Sequence, residues 1–168
     1  MTQRHPRSFL KRLVGILSRP ASILDVNAPP DHPQSVGLDI FIEQEEGEPD
    51  LLMFQLVIDG ETLTAFDHGP IDLPELERSL TTDGTFSIWT CTCGDAGCAG
   101  RPKGVRVKHS DGIVRWYDRD TLHHYGFAVA DLTAALHAAS AAARQVLSQQ
   151  RSLGIAPDQN ASYLRSAP

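Results

Sequence analysis

The sequence contains no long apolar run and few cysteines, and each shortage excludes a class of protein. No segment approaches the roughly 20 consecutive apolar residues of a membrane-spanning helix, so no transmembrane segment is predicted. Cysteine occurs 3 times in 168 residues, which excludes a disulfide-dense scaffold. Hydrophobic residues make up 41% of the chain and charged residues 21%, a balance that favours a globular protein over a coiled coil or a disordered chain.

Several enzyme motifs are also missing from the sequence. No Gly-x-x-x-x-Gly-Lys loop and no Gly-x-Gly-x-x-Gly fingerprint occurs, which disfavours nucleotide hydrolysis and dinucleotide binding. No Gly-x-Ser-x-Gly elbow holds a nucleophilic serine. The acidic stretch 43–50 lacks the ligand spacing of a calcium loop, so we interpret it as a solvated turn.

Charge is distributed in blocks along the chain. Residues 1–19 hold five basic residues and no acid, residues 20–77 hold fourteen acids and no Lys or Arg, and residues 101–120 are basic again. This pattern predicts either internal charge complementarity or a dipolar surface that steers a partner protein. The net charge of -6 and the pI of about 5.6 argue against nucleic acid as that partner.

Composition divides the chain into three parts. We expect a basic N-terminal arm and Pro-rich linker at residues 1–33, a single α+β domain at 34–157 and a flexible C-terminal tail at 158–168. Apolar residues at helical spacing within residues 9–17 predict a short amphipathic helix. It either docks on the domain or frays in solvent, and the alternative is weak contact with an anionic membrane surface. Because this stretch lacks the unbroken apolar core of an export signal, we expect a cytoplasmic protein.

Hydrophobic periodicity predicts an α+β fold built on one antiparallel sheet of about five strands. Strands are predicted where apolar residues alternate or form short runs, at 38–42, 51–58, 86–90, 104–109 and 113–117, with a last short strand at 127–130. The Asp-Gly dipeptide at 111–112 predicts a tight hairpin between the fourth and fifth of these strands. Val105 and Val107 would then face one side of the sheet, with Arg106 and Lys108 on the other.

Two helices complete the predicted fold. Asp72, followed by a proline and then Glu75, predicts the N-cap of a short helix through Leu80. Asp131 is predicted to cap a long C-terminal amphipathic helix that ends at Gly154. We expect both helices to pack on the sheet.

The candidate functional site is the cysteine cluster, because Cys91, Cys93 and Cys98 all lie within eight residues. In one interpretation the three thiolates bind a structural zinc, with His109 as the fourth ligand returned to the site by the following strand. Against this, the Cys-x-Cys spacing is not that of the common zinc knuckles.

Two further interpretations of the cluster stay open. Two of the thiols could form a reversible disulfide that the third attacks, which requires a lowered thiol pKa from cations such as Arg101 and Lys103. Alternatively, the thiols are structural and pack in a glycine-rich loop against Trp89 and Trp116. A reducing cytoplasm makes a permanent disulfide the least favoured state.

Histidines outside this cluster are weaker candidates. His123 and His124 could ligate a metal or carry a proton, but an adjacent pair at a strand edge is more often polar surface. His68 lies in a turn, where Asp67 could orient its ring.

The cysteine cluster also carries a resemblance to known sequences. Phe86 to Gly100 reads FSIWTCTCGDAGCAG and is followed by GVRVKH at 104–109 and DGIVRW at 111–116. This block of about thirty residues resembles an uncharacterised family of small bacterial proteins, in which an aromatic strand precedes Cys-x-Cys-Gly-x-x-Gly-Cys-Ala-Gly and a Gly-Val-x-Val strand. The resemblance implies a bacterial origin and an α+β fold, and it implies no catalytic residues.

Two functions therefore remain open on the sequence. The first is a non-catalytic protein-binding module, of an immunity-like kind, whose cysteine loop is structural or binds zinc. The second is a thiol-based redox or metal-dependent enzyme or sensor that uses Cys91, Cys93 and Cys98.

Overall fold

The computed structural model describes residue 30 and residues 32–43, 51–63, 69–91 and 95–152. Several sequence predictions lie outside these residues: the basic arm and its helix at 9–17, the acidic turn, the end of the long helix at Gly154 and the C-terminal tail. The candidate residues Asp67, His68 and Cys93 lie outside them as well.

The first sheet contains three antiparallel strands, β1 (Val36–Glu43), β2 (Leu51–Ile58) and β3 (Glu61–Thr62). Their register places Leu38 opposite Leu56 and Ile40 opposite Phe54, so apolar side chains from both long strands share one face. That face is the inner one, since Leu56 is 0% and Phe54 1% exposed. Both long strands were predicted from their apolar patterns, and both are confirmed.

The second sheet contains four antiparallel strands in sequence order: β4 (Gly84–Phe86), β5 (Val105–Ser110), β6 (Ile113–Asp118) and β7 (His124–Ala128). Asp111 and Gly112 both have positive φ, which confirms the tight hairpin between β5 and β6. Val105 and Val107 point inward and are buried, while Arg106 and Lys108 are exposed on the outer face, as their alternation predicts.

The first helix, α1 (Leu73–Ser79), begins as the sequence predicts. The Glu75 backbone N–H donates to Asp72 Oδ1 at 2.9 Å, which satisfies one of the free amides at the helix start. The second helix, α2 (Val129–Ser152), begins two residues before the predicted cap, so Asp131 lies in its first turn. The reason is that β7 leads directly into α2, and the Val129 N–H donates instead to the Gly112 carbonyl at 2.9 Å.

The second helix packs mainly against β1. Its buried face follows the helical spacing that the sequence predicts, and it consists of Leu132, Leu136, Ala139, Ser140, Ala143 and Leu147. Neither described helix combines the length and the apolar character needed to cross a bilayer.

The α+β class is confirmed, but the strands form two sheets rather than one. The segment 86–90 was predicted as a single strand, whereas β4 ends at Phe86 and Trp89 makes only an isolated bridge to Ile71. The physical reason is that Ile88 and Trp89 are both buried, at 0% and 2% exposure. A strand with one solvated face cannot bury two consecutive side chains, so the chain leaves the sheet there.

Hydrogen bonds join the two sheets on both sides. On one side the Ile71 N–H donates to the Phe54 carbonyl in β2 at 3.0 Å, and Ile71 also bridges Trp89. On the other side the Gln34 N–H donates to the Gly126 carbonyl in β7 at 2.7 Å, and the Gly126 N–H donates to Gln34 Oε1 at 3.2 Å. The sheets therefore enclose one continuous core, in which Trp89 and Trp116 meet edge to face at 6.0 Å.

Candidate functional site

The cysteine loop, residues 91–104, begins where the chain leaves its bridge to Ile71 and ends where β5 starts. Cys91 takes part in a disulfide bond. Cys98 is a free, exposed thiol in the turn at 96–100. The redox interpretation requires that one cysteine forms a disulfide, and Cys91 does so. A reducing compartment disfavours such a bond.

The predicted fourth zinc ligand, His109, lies near the far end of β5. It is five residues beyond Gly104, which corresponds to about 16 Å along a strand. Its Nδ1 lies 2.9 Å from Asp83 Oδ1, and its backbone N–H donates to the same carboxylate oxygen at 2.9 Å. The structure therefore does not bring His109 to the cysteine loop.

Zinc binding by the cysteines stays a prediction. Within the described ranges, no group of three or more His, Cys, Asp or Glu side chains converges as a metal site. Cys93, the middle ligand of the predicted set, lies outside those ranges.

A buried ion pair fixes the cysteine loop to the four-stranded sheet. Arg101 Nη1 donates to Asp118 Oδ2 at 2.5 Å, and the two side chains are 7% and 1% exposed. The Arg101 guanidinium also lies over the Trp89 ring, 5.8 Å from its centroid. The sequence suggested Arg101 as a cation that lowers the pKa of a thiol. In the structure its guanidinium is buried and paired with Asp118.

The same carboxylate orders a short turn between β6 and β7, residues 119–123, which we call the corner turn. Asp118 Oδ1 accepts hydrogen bonds from the backbone N–H groups of Asp120 at 2.9 Å and Thr121 at 3.3 Å. The Leu122 N–H donates to the Asp118 carbonyl at 2.8 Å. The Lys103 N–H donates to Asp120 Oδ2 at 3.1 Å, so the cysteine loop and the corner turn support each other.

The adjacent histidines that sequence analysis singled out make two different contacts. His123 Nδ1 lies 3.3 Å from the Tyr125 hydroxyl, and His124 stacks on Tyr117 with 4.6 Å between ring centroids. Burial raises the pKa of Tyr125 to about 12, and the nearby Asp118 carboxylate acts in the same direction. The Tyr125 phenol is therefore neutral at physiological pH.

The outer surface of the four-stranded sheet carries Arg106, Lys108 and Arg115, which we call the basic face; all three side chains are exposed. In the β5–β6 register Lys108 lies directly opposite Arg115. Like charges in directly opposed positions destabilise an antiparallel sheet.

One carboxylate partly compensates these cations. Asp83 Oδ2 accepts a hydrogen bond from Lys108 Nζ at 2.8 Å, and this contact together with His109 holds the pKa of Asp83 well below its ordinary value of 3.8. Beside it lies a shallow hollow lined by Asp83, Gly84, Thr85, Arg106 and Lys108. Arg115 donates instead to the uncharged Ser110 hydroxyl.

The Arg101–Asp118 pair was not predicted from the sequence, although one signal for it exists. Alternate residues of β6 point into the core: Val114, Trp116 and Asp118 are 0%, 1% and 1% exposed. A carboxylate at an inward strand position requires a buried cationic or hydrogen-bonding partner. The alternation of inward and outward side chains along a strand could therefore have identified Asp118 as a buried carboxylate. It could not have identified Arg101, among the cations of the chain, as its partner.

We compared the chain with protein-family models, with curated proteins and with solved structures, and none of them matches it. The chemistry of the cysteine loop, the corner turn and the basic face is thus the basis for the functional proposals that follow.

Proposed function

We propose that this protein is a non-catalytic binding module that contacts an acidic partner protein through the basic face. The observation that carries the proposal is the directly opposed Lys108 and Arg115, with Arg106 beside them on β5. This arrangement costs stability in the isolated protein, and carboxylates of a bound partner would remove that cost. Local conflicts of this kind between sequence and stability are typical of functional surfaces.

An acidic protein fits this surface better than a nucleic acid does. The chain has a net charge of -6, so a long phosphate backbone that extends beyond the basic face meets repulsion. Single-stranded nucleic acids also need free aromatic rings on which bases stack. On the outer face, one side of the Tyr117 ring is already covered by His124.

The cysteine loop has a supporting role in this proposal. It is attached to the end of the sheet by the Arg101–Asp118 pair, and either the disulfide at Cys91 or, after its reduction, a zinc ion on the thiolates would stiffen it further. The sequence of residues 20–77 carries charge of the opposite sign, with fourteen acids and no Lys or Arg. Charge complementarity of that segment to a basic partner supports the immunity-like role within the same class.

A labelled glutamate-rich peptide can stand for the acidic partner, with fluorescence anisotropy as the measurement. We expect Arg106→Gln/Arg115→Gln to weaken binding about tenfold at low salt, because two favourable charge contacts are lost. The matched control is Arg78→Gln/Arg144→Gln, which removes two exposed arginines from the helices and leaves the basic face intact. We expect the control to change affinity by less than about twofold.

Two results would contradict the proposal. Equal losses in both double variants would show that only net charge matters. Tighter binding of an oligothymidine strand than of the acidic peptide would assign the face to nucleic acid.

A thiol-based function is the second candidate, and one observation favours it. The disulfide at Cys91 and the exposed thiol of Cys98 lie in the same loop, and thiol–disulfide exchange requires an accessible thiol near a disulfide. This function predicts that Cys98 is alkylated rapidly in the native protein and that Cys98→Ser abolishes reduction or exchange of the disulfide. Metal analysis of the purified protein before and after chelation tests the zinc alternative.

A further inference from the structure

The corner turn presents a leucine in a conformation that leucine rarely adopts. Leu122 has φ +64°, in the left-handed region, where Cβ comes too close to the neighbouring carbonyl oxygen. Its side chain is 52% exposed, and it is the one exposed large apolar side chain among the residues described here. Leu122 therefore gains little from burial, and its backbone is strained.

Two other tight turns among the described residues use residue types that tolerate this conformation. The β2–β3 turn has Asp59 at φ +51° and Gly60 at φ +84°, and the β5–β6 turn has Asp111 at φ +53° and Gly112 at φ +74°. Glycine adopts such angles without steric cost, and aspartate adopts them far more often than leucine does. A leucine at a positive-φ position of a tight turn indicates that its side chain serves a function other than stabilising the fold.

The leucine is also held rigidly. Its N–H donates to the Asp118 carbonyl, while Asp118 Oδ1 accepts from the two preceding turn residues and Oδ2 is bound by Arg101. A buried ion pair is an expensive way to stabilise a turn, because both charges must leave water. A side chain on a fixed backbone segment loses less conformational entropy when it binds than one on a mobile segment does.

Two cations lie at the corner turn and the end of the cysteine loop that supports it. Lys103 and Arg119 are both exposed and contact each other's backbone: Arg119 Nη1 donates to the Lys103 carbonyl at 3.2 Å, and Lys103 Nζ lies 3.4 Å from the Arg119 carbonyl. The acid of the corner turn, Asp120, already accepts the Lys103 backbone N–H. The corner turn directly follows β6, and in that strand Tyr117 lies opposite Arg106 of the basic face.

We infer that Leu122 is the apolar anchor of the binding surface and that it inserts beside a large apolar side chain in an acidic segment of the partner protein. This inference rests on the proposed function, since it takes its charge complementarity from the basic face. A central apolar contact within a charged rim is the usual anatomy of a protein interface, in which a few residues supply most of the affinity.

The first experiment measures the stability of the free protein. Leu122→Gly removes the strain and loses little packing, so we expect Tm to rise by about 2–4 °C. Leu122→Ala, which keeps the strained conformation, should leave Tm almost unchanged. A fall in Tm for Leu122→Gly would show that the leucine serves the fold, and it would overturn the inference.

The second experiment measures binding of two glutamate-rich peptides that differ only at one central position, which is Phe in one and Ser in the other. We expect the wild-type protein to bind the Phe peptide about fivefold more tightly, and this preference to disappear in Leu122→Gly and Leu122→Ala and to persist in Leu122→Met. Arg106→Gln/Arg115→Gln should weaken binding of both peptides and keep the preference for Phe.

The outcomes separate the two proposals. If both peptides bind equally to the wild-type protein and binding still needs the basic face, the anchor is wrong and the proposed function stands. If neither peptide binds to the wild-type protein, the proposed function fails, and the anchor fails with it.

Discussion

The two ends of the β5–β6 hairpin each hold an aspartate against a basic side chain, but in opposite environments. At the cysteine-loop end, Arg101 and Asp118 are 7% and 1% exposed. At the turn end, Lys108 and Asp83 are 59% and 43% exposed. Water screens the exposed Lys108–Asp83 pair but not the buried Arg101–Asp118 pair. The buried pair therefore contributes to the structure at its end of the hairpin, whereas the exposed pair contributes little to stability.

The Asp118 and Asp83 carboxylates also differ in how many chain segments they hold together. Asp118 binds a side chain from the cysteine loop and two backbone N–H groups of the corner turn, so three chain segments depend on it. Among the described residues, Asp83 forms hydrogen bonds with Lys108 and His109 at the adjacent edge of β5. The buried carboxylate thus orders the surface that we propose for partner binding, while the exposed one adjusts the charge of that surface.

The largest expected effect comes from breaking the buried pair. Arg101→Met leaves Asp118 without its cation, and we expect the free energy of unfolding to fall by about 3–5 kcal/mol in a urea titration. Arg101→Met/Asp118→Asn should recover at least half of this loss, because a neutral amide still accepts from the turn amides. A single-variant loss below about 1 kcal/mol would mean that the pair is solvated.

The next effect is a loss of stability at alkaline pH at the same end of the hairpin. The phenol of Tyr125 has a pKa near 12 in the folded protein, whereas an unfolded tyrosine ionises near pH 10. Ionisation therefore favours the unfolded state, so this stability is complete below pH 10 and about 2–3 kcal/mol of it is lost as the pH rises towards 12.

The tyrosinate absorbance near 295 nm and urea unfolding across that pH range measure this effect together. Tyr125→Phe is the control, because it has no phenol to ionise. The difference between wild type and variant should therefore change with pH only above pH 10. A phenol that titrates near pH 10 in the folded protein would show that Tyr125 is open to solvent.

Glycine substitutions compare the two ends without any change of charge. A Cβ at Gly104, at the cysteine-loop end, would lie 2.8 Å from the Phe86 carbonyl oxygen, and φ there is +64°. A Cβ at Gly112, at the turn end, meets nothing within 4 Å, although φ is +74°. We expect Gly104→Ala to cost about 2 kcal/mol and Gly112→Ala about 1 kcal/mol, since only the first adds a clash to the strained φ.

Thermal unfolding of the two alanine variants measures that difference directly. Equal losses at both positions would mean that the backbone near Phe86 moves aside without cost.

The smallest effect is expected at Asp83. Its pKa is lowered chiefly by the Lys108 side chain and further by His109, so its stabilising contribution is present above pH 3.8 and is lost as the pH falls below that value. Asp83→Asn should lower Tm slightly at pH 7, and less at high salt, because the pair is exposed. A Tm loss as large as that of Arg101→Met would contradict the distinction between the two ends.

Those elements of the fold that depend on nearby residues along the chain could be predicted from the sequence. Alternating apolar residues in β1, the Asp-Gly turn at 111–112 and the Asp72 cap each depend on neighbours within a few positions, and each is confirmed. The division into two sheets depends on contacts such as Ile71 with Trp89, which periodicity does not encode.

The candidate site was readable only in part. The cysteine cluster marked the loop 91–104 as a candidate site, and that role stays a prediction. The choice of His109 as a ligand assumed that β5 returns to that loop, whereas its Nδ1 lies beside Asp83. The strain at Leu122 was not readable at all, since no local pattern predicts a left-handed leucine. Its N–H is bound by the Asp118 carbonyl, and the Asp118 carboxylate pairs with a side chain 17 residues away along the chain.

The pairing of Gln34 with Gly126 has a consequence for how the molecule is made. These residues are 92 positions apart, and their hydrogen bonds close the second junction between the sheets. During synthesis this junction cannot form until β7 has left the ribosome. Closure of so long a loop is slow, so we expect completion of this junction to be a late event in folding.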